Sequence, residues 1–310
     1  MRRCNGLPYV HDRVRPVLPL KRDQPETCLY VVLQSLPENH DRLLLDLIAP
    51  LVREFRSDEN LHSLFFVRYA DPTWQLRFRV LGHPGWIDDV VRPRLERAIL
   101  PFSKSGVIGR VEYGEYAREW ERYGGPRGMS LAERIFLHDS VACLELLEAE
   151  ARGALSTSRR EYSLMMAELF LDLFGFDGSQ RRQFYLEGHA WAFRDGVFRD
   201  EDRPRLDRQY LSVRDGLRER IVGLRTENPA IVIGGAEPAQ IAANFLRATR
   251  PVVEELLAAH AEGDIHQGLV YLAWSYAHLH CNRLGIELVP EAILRYLMFR
   301  AHEESAGPSS

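Results

Sequence analysis

The sequence predicts an α+β protein: a ferredoxin-like antiparallel sheet, with the element order β-α-β-β-α-β, followed by a mostly helical half that covers the open sheet face. Two observations support this class. Strand-like runs alternate with helical periodicity over residues 27–113, and only helical periodicity remains from residue 116 onward. We expect one compact unit divided into an N-terminal arm (1–26), a sheet lobe (27–116), a helical lobe (117–306) and a short tail (307–310).

The sheet lobe is predicted from its residue patterns. The run TCLYVVLQ, which begins at Thr27, is apolar and β-branched, which is typical of a buried strand. Asn39 can cap the helix that follows, where leucines recur at helical spacing. Asp71 and Pro72 form a turn between two strands. The predicted elements are, in order, a strand 27–34, a helix 39–55, strands 63–69 and 75–81, a helix 84–100 and a strand 106–113.

The helical lobe is bounded by capping and stop signals. A helix from Tyr116 to Arg122 is predicted to end at a Gly-Gly-Pro sequence. Ser130 and Glu133 form a capping box that would open a helix ending at Arg152. The remaining predicted helices are 158–174, 179–195, 202–225, 238–262, 267–284 and 289–303.

Composition and charge exclude several classes of protein. The formal net charge of −4 gives no overall attraction to nucleic acid or an anionic membrane. No apolar run reaches the roughly 18 residues of a membrane span, and residues 1–20 lack the core of a signal peptide. The four cysteines are widely separated and form no CxxC pair (Cys4, Cys28, Cys143 and Cys281). We therefore expect a cytoplasmic protein with reduced thiols, without a membrane or nucleic-acid partner.

The strand at 75–81 places two arginines on one face. Side chains alternate along a strand, so its two faces carry different residues: Leu76, Phe78 and Val80 on one, Gln75, Arg77 and Arg79 on the other. Arg68, on the preceding strand, is expected to lie close enough to join this pair. The arginines either face solvent or form an anion-binding surface, since guanidinium groups on a stiff strand suit carboxylates. Lysine is confined to Lys21 and Lys104, so arginine is common throughout and only arginines that recur on one face carry weight.

The helix near residue 280 carries a second group of polar residues. His278 and Asn282 are four residues apart, so they share a helix face with Trp274. His280 and Cys281 are adjacent to this group, but residues two or three apart on a helix point in different directions. No metal site is therefore predicted. Arg122 either acts at a site or binds the last carbonyls of its predicted helix.

Three segments together resemble a known family. They are the strand with Arg77 and Arg79, YAREWERYGGPRGMSLAERIFLHDS at 116–140, and SYAHLHCNRLG at 275–285. This combination, in this order, resembles the C-terminal glutamate-elimination domain of class I lanthipeptide dehydratases, which also occurs as a stand-alone protein in thiopeptide biosynthesis. The resemblance covers about residues 28–300.

The resemblance implies an activity and a set of residues. In this family glutamate is eliminated from O-glutamylated Ser or Thr of a precursor peptide, which leaves dehydroalanine or dehydrobutyrine, and no cofactor is needed. The family's catalytic residues match Arg77, Arg79, Arg122 and His278. The candidate substrate-binding residues are Arg68, Gln75, Tyr123 and Asn282, with Tyr123 equally suited to a cleft wall. Gln75 departs from many relatives, which have a histidine just before the paired arginines.

The resemblance also implies partners and leaves two alternatives. A precursor peptide, with its leader and glutamylated core, would be the substrate. A separate protein that uses glutamyl-tRNA would glutamylate it, because no segment here corresponds to the larger glutamylation domain. A homodimer is compatible with the sequence. The alternatives are a thiopeptide pyridine synthase, which joins two dehydroalanines by a formal [4+2] cycloaddition and releases the leader, and a non-catalytic subunit that recruits the precursor.

Overall fold

A four-stranded antiparallel sheet forms the first half of the protein. The computed structural model describes residues 26–226 and 232–305, so most of the predicted arm and the whole predicted tail lie outside the described residues. The strands are β1 (Thr27–Gln34), β2 (Leu61–Tyr69), β3 (Gln75–Gly82) and β4 (Arg110–Gly114). Their spatial order, β2-β3-β1-β4, is the ferredoxin-like order, which confirms the predicted fold class and places β3 in the interior of the sheet.

Two helices pack against one face of this sheet, and each contains a wider π turn. Helix α1 consists of His40–Leu43, the π turn Leu44–Ile48 and Ala49–Phe55. Helix α2 consists of Pro84–Trp86, the π turn Ile87–Val91 and Arg92–Lys104. In both helices a proline, Pro50 or Pro93, lies two residues beyond the π turn. Since proline has no N–H and its ring clashes with the carbonyl one turn earlier, the helix widens at that point.

The helical half follows the sheet. In the described part of the chain its helices are α3 (Pro126–Ala151), α4 (Arg159–Leu173), α5 (Gly178–Arg194), α6 (Arg203–Thr226), α7 (Ala236–Ala261), α8 (Leu269–Arg283) and α9 (Leu288–Ser305). Short 3₁₀ turns occur at Pro37–Asn39 and Asp200–Asp202. No helix among the described residues is long and apolar enough to cross a membrane.

The core lies between the sheet and its two helices and continues into the helical half. The apolar residues of β3 that were predicted to face inward, Leu76, Phe78 and Val80, are all buried. The opposite face of the sheet, called the open face below, carries Tyr30, Phe65, Tyr69, Gln75, Arg77 and Arg79. Helix α3 covers part of this face, where the rings of Phe65 and Phe136 lie 5.1 Å apart.

The side chains at the end of α8 make three hydrogen bonds to the backbone of the edge strand β2. The Asn282 amide donates to the Arg68 carbonyl at 2.8 Å and accepts from the Arg68 N–H at 2.9 Å, as a neighbouring strand would. Beside it, Arg283 Nε donates to the Phe66 carbonyl at 3.0 Å. These contacts satisfy backbone groups that an edge strand would otherwise leave unpaired.

Three details of the prediction are wrong. Residues 115–119 are not helical and 120–124 form a turn, so the predicted helix 116–122 is absent. Helix α3 begins at Pro126, so Ser130 and Glu133 lie inside it and do not cap it. Glu133 instead accepts from Arg118 at 2.6 Å, which holds the chain before the turn in an extended form. The last strand begins at residue 110, because residues 106–109 form turns in which Gly106 has a φ of +75°.

Acid is expected to destabilise the fold through His40. This side chain is 1% exposed and donates to the Ser35 carbonyl at 3.3 Å. Burial, together with the charge of Arg68, lowers the pKa of His40 from 6.5 to about 4. The unfolded chain therefore binds more protons than the folded one between these values, and the stability present above pH 6.5 is lost as the pH falls towards 4. Between pH 7 and 4, unfolding free energies from urea titrations should fall by about 3 kcal/mol more in the wild type than in His40→Gln. Equal losses in the two proteins would contradict this.

Candidate active site

The interior strand β3 presents Arg77 and Arg79 on the open face, surrounded by aromatic rings. The Arg77 guanidinium lies 3.5 Å from the centre of the Tyr69 ring. The Arg79 guanidinium lies 4.3 Å from the Tyr30 ring and 5.0 Å from the Tyr116 ring. Such rings hold a guanidinium group through their negative faces without neutralising its charge.

Neither arginine has a carboxylate partner among the described residues. The Nε atoms of Arg77 and Arg79 are buried and have no hydrogen-bond partner there. The other arginines in the described ranges that lack a carboxylate partner are exposed: Arg97, Arg160, Arg208, Arg247 and Arg250. Buried charged donors without partners are costly, so an anion bound here would gain unpaired donors.

Gln75 lies on the same face but is engaged in the turn. It is 5% exposed, and its amide donates to the Asp71 carbonyl at 3.1 Å. The side chain therefore stabilises the β2–β3 connection, while its position places it beside Arg77 at the end of the strand.

The turn at 120–124 carries Arg122 towards α8. Arg122 pairs with Glu119 at 3.0 Å, and its Nε donates to the Ser275 hydroxyl at 3.4 Å. The turn depends on glycine: Gly124 has a φ of +77°, and a Cβ at Gly128 would lie 1.8 Å from the Tyr123 carbonyl oxygen. The turn therefore packs directly against the start of α3, and this packing fixes the position of the Arg122 backbone.

Tyr123 lies beneath this turn and belongs to the aromatic core. It is 2% exposed, and its ring stacks on Tyr276 at 5.7 Å and meets Phe136 edge-on at 5.3 Å. Burial raises the pKa of Tyr123 above its ordinary value, so the phenol stays neutral. Of the two roles open to it, the structure favours the cleft wall.

His278 is held on α8 by a buried carboxylate and an indole ring. Its Nδ1 lies 2.7 Å from Glu291 Oε2 of α9, and its ring stacks on Trp274 at 5.5 Å with an angle of 4° between the planes. Burial raises the pKa of Glu291, but the charges of His278 and Arg295 outweigh it and hold this pKa below its usual value. Glu291 is therefore an ionised partner for the imidazole.

The structure brings the predicted catalytic residues together in two groups. Arg77 and Arg79 share the open face of the sheet. Arg122 meets α8 at Ser275, one helical turn before His278. The rings of Phe65, Tyr116, Phe136, Tyr123 and Tyr276 lie between the two groups and form a continuous aromatic layer.

Arg68 and Asn282 are located away from these groups. Arg68 is in register with Leu76, so it lies on the opposite face of the sheet from the paired arginines, and the expectation that it joins them is wrong. It binds Asp41 at 2.6 Å and the Arg283 carbonyl at 3.1 Å. Asn282 is occupied by the Arg68 backbone. Both side chains hold α8 against the sheet.

Comparison with known proteins gives a match to one family. The family model described as "Lantibiotic biosynthesis dehydratase C-term" matches residues 29–302. The chain belongs to this family. SpaB of Bacillus subtilis, a subtilin biosynthesis protein, is 26% identical over 181 residues, which covers 51% of this chain and 18% of SpaB.

Solved structures show the same fold. MibB, a tRNA-dependent lantibiotic dehydratase from Microbispora sp. 107891, matches with a TM-score of 0.69 and 20% identity, over 95% of this chain and 29% of MibB. TsrL matches with a TM-score of 0.64 and 18% identity, over 91% of this chain and 96% of TsrL. TbtD, a pyridine synthase from thiomuracin biosynthesis, matches with a TM-score of 0.63 and 18% identity, over 90% of this chain and 99% of TbtD. The chain thus spans less than a third of SpaB and of MibB.

This dehydratase C-terminal domain also contains a buried network that the sequence did not reveal. Asp139 of α3 accepts from His280 at 2.6 Å and from Arg283 at 2.5 Å, with the Cys143 sulfur 3.8 Å away. Asp139, Cys143 and His280 are spaced as metal ligands could be. However, Arg283 already supplies a cation to Asp139, and burial raises the pKa of Cys143 well above its usual value, so its thiol stays protonated. The arrangement is that of a hydrogen-bonded ion pair.

A small cavity lies deeper in the helical half of the domain. Its volume is about 40 Å³, which is room for about three water molecules. Several of its polar lining atoms have no partner among the described residues: Tyr276 Oη, His280 Nε2, Arg283 Nη2 and Arg295 Nη1. Water can satisfy these atoms.

The residues that sequence reasoning missed are the partners of the predicted ones. Tyr116 was assigned to a helix, although it flanks Arg79. Glu291 was not singled out, although its spacing from Arg295 is that of a helical ion pair. That spacing was a usable signal, but it could not show that Glu291 faces His278 on another helix.

Proposed function

We propose that this domain removes glutamate by β-elimination from O-glutamylated Ser or Thr of a ribosomally made precursor peptide, giving dehydroalanine or dehydrobutyrine in lanthipeptide or thiopeptide biosynthesis. The observation that carries the proposal is the pair Arg77 and Arg79, semi-buried, ringed by aromatic side chains and without a carboxylate partner in the described part of the chain. A glutamyl ester brings the carboxylate that such a pair can bind.

The chemistry assigns a role to each group. A base takes the proton from Cα of the modified residue, its bonding electrons form the Cα–Cβ double bond, and the Cβ–O bond breaks so that glutamate leaves as a carboxylate. Arg77 and Arg79 bind the glutamyl group and stabilise the negative charge that develops on the leaving oxygen. His278 is the proton acceptor, since an imidazole held by a carboxylate is suited to this task. Arg122 adds positive charge on the α8 side.

The proposal includes partners. The substrate is a precursor peptide already glutamylated by a protein that uses glutamyl-tRNA, which places the reaction in the cytoplasm. MibB, one of the structures with this fold, is a tRNA-dependent lantibiotic dehydratase.

The competing candidate is pyridine synthesis. It is raised by the fold shared with the pyridine synthase TbtD over 99% of that protein. A [4+2] cycloaddition joins two uncharged dehydroalanines and needs no carboxylate site. An unpaired arginine pair on the open face therefore favours elimination over cycloaddition.

Mass spectrometry of two peptides separates the candidates. One peptide carries glutamylated Ser, and the other carries two pre-formed dehydroalanines and a leader. Elimination predicts loss of the glutamyl adducts with formation of dehydroalanine in the first peptide and no change in the second. Cyclisation of the second peptide with release of its leader would identify a pyridine synthase. No reaction of either peptide, with retained binding, would identify a recruitment subunit.

A further inference from the structure

The ring of His278 is held by two contacts. Glu291 Oε2 lies 2.7 Å from Nδ1, and the Trp274 ring lies parallel to the imidazole. His278 is 7% exposed, and its other nitrogen, Nε2, has no hydrogen-bond partner among the described residues. The ring is therefore oriented by one nitrogen and leaves the other free for a reacting group.

Glu291 is itself oriented by Arg295. Both Nε and Nη2 of Arg295 donate to the same oxygen, Glu291 Oε1, at 2.9 and 2.6 Å. This leaves Oε2 for His278. Glu291 is 2% exposed and Arg295 is 4% exposed, so bulk solvent does not compete for these contacts.

The surroundings are shaped to admit Arg295. A Cβ at Gly188 of α5 would lie 2.8 Å from Arg295 Cδ, so any larger residue there would displace this side chain. The Arg295 guanidinium lies 5.4 Å from the centre of the Trp274 ring. The same indole ring stacks on His278. The helices α5, α8 and α9 thus combine to hold one imidazole.

We propose that Glu291 is a positioning residue that fixes the tautomer of His278. Its Oε2 accepts a hydrogen bond from Nδ1–H, which keeps the ring proton on Nδ1. Nε2 then carries no proton and can take one from the substrate. The inference rests on the proposed function only for which substrate proton is removed. The tautomer of His278 does not depend on that function. A carboxylate that orients a catalytic imidazole in this way also appears in serine proteases, where replacing it by its amide produces the wrong tautomer.

The test is Glu291→Gln with two measurements. Arg295 will hold the glutamine carbonyl, which turns the amide NH₂ towards Nδ1 and makes Nδ1 an acceptor. In ¹⁵N-histidine NMR, His278 should therefore change from the Nδ1–H to the Nε2–H tautomer, its signals being assigned by their loss in His278→Gln. In steady-state assays on the glutamylated peptide, kcat should fall by about 100-fold or more with little change in KM.

Glu168→Gln is the matched control. Glu168 is also 2% exposed and also binds a histidine and an arginine, with His302 at 2.9 Å and Arg181 at 3.1 Å. Its replacement removes a buried carboxylate from the same helical half but leaves His278 untouched. We expect the wild-type tautomer at His278 and a kcat within about twofold of the wild type.

Three results would overturn the inference: an Nε2–H tautomer in the wild type, an unchanged tautomer in Glu291→Gln, or a loss of kcat no larger than that in Glu168→Gln. The first needs no variant, so it decides the matter even if Glu291→Gln does not fold. If the wild type eliminates no glutamate at all, the proposed function fails, and the tautomer comparison alone then tests whether Glu291 sets the proton on the ring.

Discussion

Replacing Arg79 by glutamine is expected to lower the rate of glutamate elimination by about 100-fold or more while leaving the protein at least as stable as the wild type. Glutamine retains polar atoms and much of the packing against Tyr30 and Tyr116, but it carries no charge for the leaving carboxylate. The fold should not suffer, because Arg79 has no carboxylate partner among the described residues and its buried Nε is unpaired. Dehydroalanine formation and thermal unfolding measure the two effects.

A binding measurement distinguishes catalysis from recruitment. Arg97→Gln is the control, since Arg97 is exposed and also lacks a carboxylate partner within the described ranges. Affinity for the unmodified precursor should be unchanged in Arg79→Gln if the arginine acts on the glutamyl group. Loss of precursor binding in step with activity would instead support a peptide-recruiting face.

Asp139→Asn is expected to reduce the free energy of unfolding by about 3–5 kcal/mol. Burial raises the pKa of Asp139, but His280 and Arg283 lower it further, so this carboxylate is ionised at neutral pH. Arg283 is 1% exposed, and without Asp139 its charge would remain buried with no compensating carboxylate among the described residues. Urea unfolding monitored by circular dichroism gives the value.

A surface pair provides the comparison for Asp139. Glu148 pairs with Arg53 while 25% and 52% of the two side chains remain exposed. Its replacement by glutamine should cost less than about 1 kcal/mol. If the two losses were similar, the Asp139 network would contribute no more than a surface ion pair, and the account of the buried ion pair would be wrong.

The placement of the arginine pair could be predicted because alternation along one strand is a local property. Residues 75–81 alone determine that Arg77 and Arg79 share a face. The face of Arg68 depends instead on how β2 pairs with β3 across the turn. The observed register sets Arg68 against Leu76, and a turn one residue longer would have placed it beside Arg77. A single sequence does not determine this register, and so it does not determine on which face of the sheet Arg68 lies.

The segment at 115–125 shows a second limit. Its sequence has helical character, yet Arg118 binds Glu26 and Glu133, which lie on different elements. These ion pairs, with the positive φ angles of Gly124 and Gly125, hold the chain in a turn that delivers Arg122 to α8. Local propensity is overruled here by contacts between residues far apart in the chain.

The hydrogen bonds between α8 and β2 have a consequence for catalysis. Asn282 and Arg283 fasten the helix that carries His278 to β2, and β2 is hydrogen-bonded along its length to β3, which carries Arg79. His278 and Arg79 therefore belong to one hydrogen-bonded frame. Under the proposed function, the proton acceptor and the anion-binding group are thus placed relative to each other before any peptide arrives. A substrate whose ester matches that placement meets a preorganised site, so little of its binding free energy is lost in assembling the catalytic groups.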